Sequence, residues 1–262
     1  MGREGEINYV TGYIPNDAEE QLIEAAREKK WGVMITEPSD IDEVPTLLRN
    51  PKWVSLIKPV LDLLGLTPGY RELDISLLFL VFFSIFFGIL IGDAGYGVVY
   101  ILITLVLQKV VLKSWVLDHP DMKTTFTLFY LLGACLVIWG LLTGVFFGQS
   151  WLLELGYTPV VPELNDPQFM QTFCFFLGAL HLSIAHLWRV ILKFPSLRLL
   201  AVIGWICVLW TAFFLARTLI LGDPFPLLGI WLIIAGIVLV ILFTHPQRNV
   251  LKGIATGLGT IA

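Results

Sequence analysis

The residues with most scope for chemistry lie in the run Phe86-Phe87-Gly88-Ile89-Leu90-Ile91-Gly92-Asp93-Ala94-Gly95-Tyr96-Gly97. One carboxylate, Asp93, sits among glycines in an otherwise apolar stretch. A charge in hydrocarbon is costly unless it is paired or reaches water, so an ionisable residue there is a functional candidate. Two readings of Asp93 stand open: a carboxylate that caps or stabilises a loop, and a carboxylate on an ion path. Gly88, Gly92 and Gly95 recur at i, i+4 and i+7, a smooth stripe on one helix face where a second helix can approach closely. Gly95 and Gly97, beyond Asp93, would permit a tight reversal, because glycine tolerates positive φ.

A second polar group comprises His181, His186 and Arg189. Five residues is about 500° of helix turn, so the two histidines point in different directions, which argues against a metal site on that helix alone. Interhelical hydrogen bonding and a proton path are the two roles left to them. His186 and Arg189 share a face, but Arg189 lies near the end of its apolar stretch and can snorkel to water. Arg217 can do the same, or pair with Asp223. Gly140, Gly144 and Gly148 repeat at four-residue spacing and read as helix packing. Cys135, Cys174 and Cys207 all lie in apolar stretches and read as small buried hydrophobes, with no disulfide framework and no metal spacing. The sequence contains no G-x-x-x-x-G-K-[ST], H-E-x-x-H or G-x-S-x-G motif. If ATP powers this protein's work, another chain must bind it; no cofactor is expected.

These residues need elements to hold them. Hydrophobic residues make up 56% of the chain and charged ones 15%, with a mean hydropathy of +0.80. Soluble domains carry about 25% charged residues, so an apolar solvent must cover part of this chain. The net charge of −4 is mild and spread out, which gives no footing for nucleic acid. The first residues carry no secretory signal. The expected fold is an all-α polytopic membrane protein with about six spans of roughly 20 residues, behind a small cytoplasmic α/β segment. Residues 1–72 form that segment and the membrane approach; residues 73–262 form the transmembrane helical domain.

In the first segment, a strand-like run from Glu6 to Ile14 ends at Pro15, and Asn16 or Asp17 can cap a helix over residues 18–30. Residues 31–36 read as a second strand, and residues 45–64, interrupted by Pro51 and Pro59, as broken helix along the membrane surface. The spans are expected at 75–91, 96–112, 125–147, 169–191, 199–221 and 227–243. Lys109, Lys113 and Lys123 fall between the second and third, Arg189, Lys193 and Arg198 between the fourth and fifth, and Arg248 and Lys252 after the sixth. The alternate loops hold Glu154, Glu163, Asp166 and Asp223 with no Lys or Arg. Basic residues mark cytoplasmic loops, so the expectation is a multi-pass protein of the cell membrane with both ends of this chain cytoplasmic.

The chain resembles subunit a of the rotary V-type ATPases, called subunit I in bacteria and archaea. Val10-Thr11-Gly12-Tyr13-Ile14-Pro15 is similar to the family's "V-x-G-[WY]-[IV]-P" at the close of its cytoplasmic arm. Glu43-Val44-Pro45-Thr46-Leu47-Leu48-Arg49-Asn50-Pro51 is similar to its "P-x-x-L-x-N-P" approach to the membrane. Tyr70-Arg71-Glu72-Leu73-Asp74, with the Gly88–Gly97 run, looks like its first membrane hairpin, and His181-Leu182-Ser183 with Ala185-His186-Leu187 is also similar. The resemblance implies a stator that takes part in proton or sodium translocation, coupled to ATP hydrolysis or synthesis in other subunits. Its implied partners are a proteolipid ring, peripheral-stalk subunits, the central-stalk cap subunit of the membrane sector, and lipid. Family members have about eight spans, the last two carrying ring-facing arginines. This chain stops at Gly257-Leu258-Gly259-Thr260-Ile261-Ala262, about where the first of those helices would begin, and no arginine here occupies a matching context. The alternative is a non-conducting membrane anchor or assembly protein of such a complex. An unrelated secondary transporter would show inverted repeats, and no internal symmetry is visible.

Overall fold

The computed structural model describes residues 2–4, 7–39, 42, 44–70, 72–119, 121–149, 151–193 and 195–244. Glu6, Glu43 and Arg71 of the sequence motifs, the basic pair Arg248 and Lys252, and residues 257–262 lie outside the described residues. The chain divides into two compact units, Met1–Trp139 and Gly140–Ala262.

The first unit opens with a hairpin of β1 (Gly2–Glu4) and β2 (Ile7–Tyr9), antiparallel with Gly2 opposite Tyr9 and Glu4 opposite Ile7. A 3₁₀ turn, Asn16–Ala18, leads into α1 (Glu19–Lys29). Neither Asn16 nor Asp17 caps this helix; its start carries no side-chain cap bond, and the Asp17 carboxylate instead accepts hydrogen bonds from the Arg49 guanidinium. Glu19 and Glu20 at the start and Arg27 and Lys29 at the end match the helix dipole. The strand expected at 31–36 does not form. Met34 is 89% exposed there; a β-prone run gains from its propensity only when a neighbouring strand accepts its backbone bonds and side chains. The broken helix expected over 45–64 begins only at Val54, as a 3₁₀ turn Val54–Ile57 running into α2 (Lys58–Leu64).

Then come α3 (Ser76–Ile91), α4 (Ala94–Val106) with a π-helical turn Leu107–Val111, a short α5 (Lys113–Asp118) and α6 (Asp121–Thr143). Ile57 and Leu61 before and within α2, Leu80 of α3, and Leu128 and Leu132 of α6 form the core, with Phe79, Phe83, Phe87 and Tyr100 packed around it. Thus the segment before α3 is anchored to the helices that follow it. In the second unit, α7 (Trp151–Glu154) and a 3₁₀ turn Pro162–Asn165 precede α8 (Pro167–Lys193), α9 (Arg198–Ala216) with a π-helical turn Arg217–Leu221, and α10 (Leu227–Phe243). α9 packs against both α8 and α10.

Among the described residues, four helical stretches are long and apolar enough to cross a membrane: Ala94–Val111, Asp121–Thr143, Pro167–Ile191 and Arg198–Leu221. The other two expected spans are apolar helices but shorter, Ser76–Ile91 and Leu227–Phe243. The 16 residues of α3 reach about 24 Å, short of the roughly 30 Å of hydrocarbon. Gly92, in the left-handed region at φ +58°, closes α3 early.

Candidate functional site

The hairpin between α3 and α4 brings the sequence-predicted residues together, but not as one glycine-striped face. Gly88 lies on α3, Gly92 ends that helix, and Gly95 and Gly97 belong to α4. The reversal therefore occurs at Gly92 and Asp93, ahead of Gly95 and Gly97. Gly92 donates its N–H to the Gly88 carbonyl at 2.9 Å, the closing bond of a left-handed helix cap. Asp93 follows in extended conformation, φ −139° and ψ 122°, and its side chain accepts from the Tyr96 N–H at 2.9 Å. This is an N-cap: the carboxylate satisfies one of the donors that a helix start leaves over and meets the positive end of its dipole. Asp93 is 2% exposed, so the cap lies inside the protein.

The glycines receive α6. A Cβ on Gly88 would stand 3.2 Å from the Cys135 carbonyl oxygen, and one on Gly97 would stand 2.7 Å from the Val137 nitrogen. The fit is reciprocal, because a Cβ on Gly133 of α6 would lie 2.5 Å from Ile101 Cγ1 of α4. Without a hydrophobic driving force between helices in lipid, such close backbone approach is what holds them. Deeper along α4, the Tyr130 hydroxyl donates to Gln108 Oε1 at 2.9 Å. Ser84 on α3 buries its hydroxyl with no hydrogen-bond partner.

The Gly140, Gly144 and Gly148 spacing is not helix packing. α6 ends at Thr143, and Gly144 and Gly148 sit at φ +74° and +71°, so they shape the turn after the helix. Spacing of four fits a helix face and a pair of turn glycines equally well. Tyr157 donates its hydroxyl to the Leu141 carbonyl at 2.6 Å, which satisfies one of the carbonyls left free at that helix end.

His181 and His186 are both half-buried on α8, and helix geometry separates their directions as the spacing required. His186 Nδ1 lies 2.8 Å from the Leu182 carbonyl on its own helix. Ser183 accepts a 3.0 Å hydrogen bond from Trp210 Nε1 of α9, a cross-helix polar contact that sequence reasoning passed over because serine in an apolar run usually bonds its own backbone. Arg217 pairs with Asp223, Nε to Oδ2 at 2.9 Å, with the guanidinium carbon 5.9 Å from the centre of the Phe213 ring. Arg217 and Asp223, with Phe214, Pro224 and Pro226, line a cavity of about 210 Å³. The sequence also missed a close backbone-to-backbone approach in the second unit: a Cβ on Gly204 would lie 2.8 Å from the Gly236 carbonyl oxygen, and one on Gly236 would lie 2.9 Å from that of Gly204. Among the described residues, no group of three or more His, Cys, Asp or Glu could hold a metal.

Ahead of α3 the structure joins parts of the sequence motifs. Arg49 holds the carboxyl of Asp17 below the usual carboxylate range, and Asp17 in turn raises the guanidinium of Arg49. Burial works against ionising Asp74, but hydrogen bonds from the Ser76 hydroxyl and N–H and from the Asn50 side chain outweigh it and hold its carboxyl below the usual range.

No family model matches the chain. It is similar to V-type ATP synthase subunit I 1 of Treponema pallidum, 35% identical over 269 residues, covering 97% of this chain and 42% of that protein. It is likewise similar to V-type ATP synthase subunit I of Borreliella burgdorferi, 31% identical over 271 residues, covering 98% of this chain and 44% of that protein. A-type ATP synthase subunit I of Methanocaldococcus jannaschii is 28% identical over 215 residues, 70% of this chain. The chain spans less than half the length of these relatives. With its apolar helices and close-packed hairpin, it belongs to the subunit I family of V-type and A-type ATP synthases.

Proposed function

We propose that this chain is the scaffold part of a membrane stator in a rotary ATPase or ATP synthase, taking part in proton or sodium translocation while other subunits handle ATP. The similarity to V-type ATP synthase subunit I over nearly the whole chain carries this reading. In such a machine a carboxylate on each proteolipid ring subunit takes ions from aqueous half-channels, and an arginine between them favours its deprotonated form. The local geometry supports a positioning role for these residues: Asp93 is a helix N-cap, and Arg217 is paired with Asp223. Its partners are the proteolipid ring, peripheral-stalk subunits, the central-stalk cap subunit and lipid. The six apolar helices all act as spans, α3 and α10 with locally thinned bilayer, and both ends of this chain face the cytoplasm.

The test is ion flux in vesicles. Residues 1–262 alone should support no proton or sodium conductance, whereas the assembled complex should show ATP-driven uptake. Conductance through the chain without the ring would overturn the scaffold role; an assembled complex that hydrolyses ATP without moving ions would favour a non-conducting anchor.

A further inference from the structure

We propose that the loop after α6, residues 144–161, is a lipid-binding surface that lies in the boundary between phospholipid headgroups and acyl chains and presents Phe147, Trp151, Leu155 and Val160 to them. Between Lys123 and Glu154 the sequence has no charged residue, yet α6 ends at Thr143. The uncharged run therefore continues past the helix through Leu153, and Glu154 is the single charge between Gly144 and Val161. Leu155 is 74% exposed and Val160 72%, with Phe147 and Trp151 exposed as well. An exposed apolar patch of this kind marks a surface that something apolar covers.

The depth of the loop selects the occupant. Tyr157 donates its hydroxyl to the Leu141 carbonyl at 2.6 Å, and a Cβ on Gly144 would stand 2.8 Å from Leu153 Cδ2, so the loop folds back on the last turn of α6. The 23 residues of α6 reach about 34 Å, against roughly 30 Å of hydrocarbon. Its last turn therefore stands where hydrocarbon gives way to headgroups, and the exposed Leu141 side chain there makes the patch continuous with the lipid-facing surface of the span. Leu153 takes the side of α7 toward Gly144, whereas Trp151 and Leu155, four residues apart, share the outward side. Trp151 Nε1 donates to the Phe146 carbonyl at 3.2 Å, and Trp and Tyr are the side chains that settle at this level of a bilayer. Irregular backbone near lipid must satisfy its own polar groups. Here Val145 N–H bonds the Gly140 carbonyl, Phe146 and Gln149 bond each other both ways, and the Leu155 and Gly156 N–H groups bond the Trp151 and Leu153 carbonyls. Lipid asks only for apolar area and amphipathic rings at that level, which is what the patch offers. The inference rests on α6 crossing the bilayer, not on ion transport or on which side the loop faces.

Two measurements on the assembled complex, in native membranes opened to both sides, test it. Leu155→Cys and Val160→Cys should react with a charged maleimide about tenfold more slowly than Glu163→Cys, because a thiol in that boundary ionises less readily and the reagent does not enter. Benzoylphenylalanine at Leu155, irradiated and mapped by mass spectrometry, should join the loop to phospholipid. Labelling as fast as at Glu163 would put the loop in water and overturn the proposal. So would cross-links only to another protein, to a second copy of this chain or to another segment of it. The same probe at Leu141 separates two failures: lipid taken at Leu141 but not at Leu155 refutes the loop reading alone, and lipid at neither position refutes the span reading with it. ATP-driven ion uptake, measured separately, bears on the stator reading and not on this one.

Discussion

Asp93 shows how one residue can have its role narrowed by geometry. Its isolation in an apolar run made it a candidate for ion transfer, whereas its hydrogen bond to the Tyr96 N–H is that of a capping carboxylate. The two roles respond differently to substitution. Asp93→Ala should cost about 1 kcal/mol, visible as a lower melting temperature in detergent, while Asp93→Asn should keep most of the cap. If Asp93→Asn leaves stability intact yet abolishes ATP-driven ion uptake, the carboxylate has a transport role after all. Glycines divide in the same way. Gly97→Ala should destabilise by about 1–3 kcal/mol, because its Cβ would meet the Val137 backbone at 2.7 Å. In the chain of residues 1–262 on its own, Gly178→Ala should leave the melting temperature unchanged, since its Cβ enters open space. Equal losses at both positions would contradict the packing described for α4 and α6.

Among the elements, the apolar helices were legible in sequence and the irregular ones were not. The stretch expected at 227–243 is α10, Leu227–Phe243, because Pro226 and the apolar run mark its start and extent. The π-helical turns after α4 and α9 left no mark in the pattern; each holds one side-chain hydrogen-bond partner, Gln108 bonded by Tyr130 and Arg217 bonded to Asp223. The start of α3 adds a pH dependence. Asp74 accepts from the Ser76 N–H at 2.9 Å, and its folded pKa lies below its usual value of 3.8. Its folded form therefore prefers the ionised carboxylate more than the unfolded chain does. The resulting stability is present above about pH 4 and is lost as pH falls through the folded value. Acid titration followed by helix content should show a steeper decline for the native protein than for Asp74→Asn; identical curves would remove this contribution.

For the whole molecule, charge placement yields a topology that can be measured. Single cysteines at Glu163 and Asp223 should react with an impermeant maleimide added outside intact cells, and cysteines at Lys113 and Lys123 only after permeabilisation; the reverse pattern would invert the protein. Hydropathy and family motifs determined by themselves that the chain is helical, membrane-embedded and of the subunit I type, because long apolar runs must close their backbone hydrogen bonds within each segment in lipid. Tertiary structure alone decided that residues 31–36 stay unpaired, that Gly144 and Gly148 turn the chain, and that Gly204 and Gly236 meet. It also decided that the Gly88–Gly97 run is two helices joined at a buried cap rather than one glycine face. The physical reason is the same throughout: lipid tails are as apolar as the helix surfaces, so composition cannot rank one face above another. Shape does, through backbones that approach only where a side chain is missing.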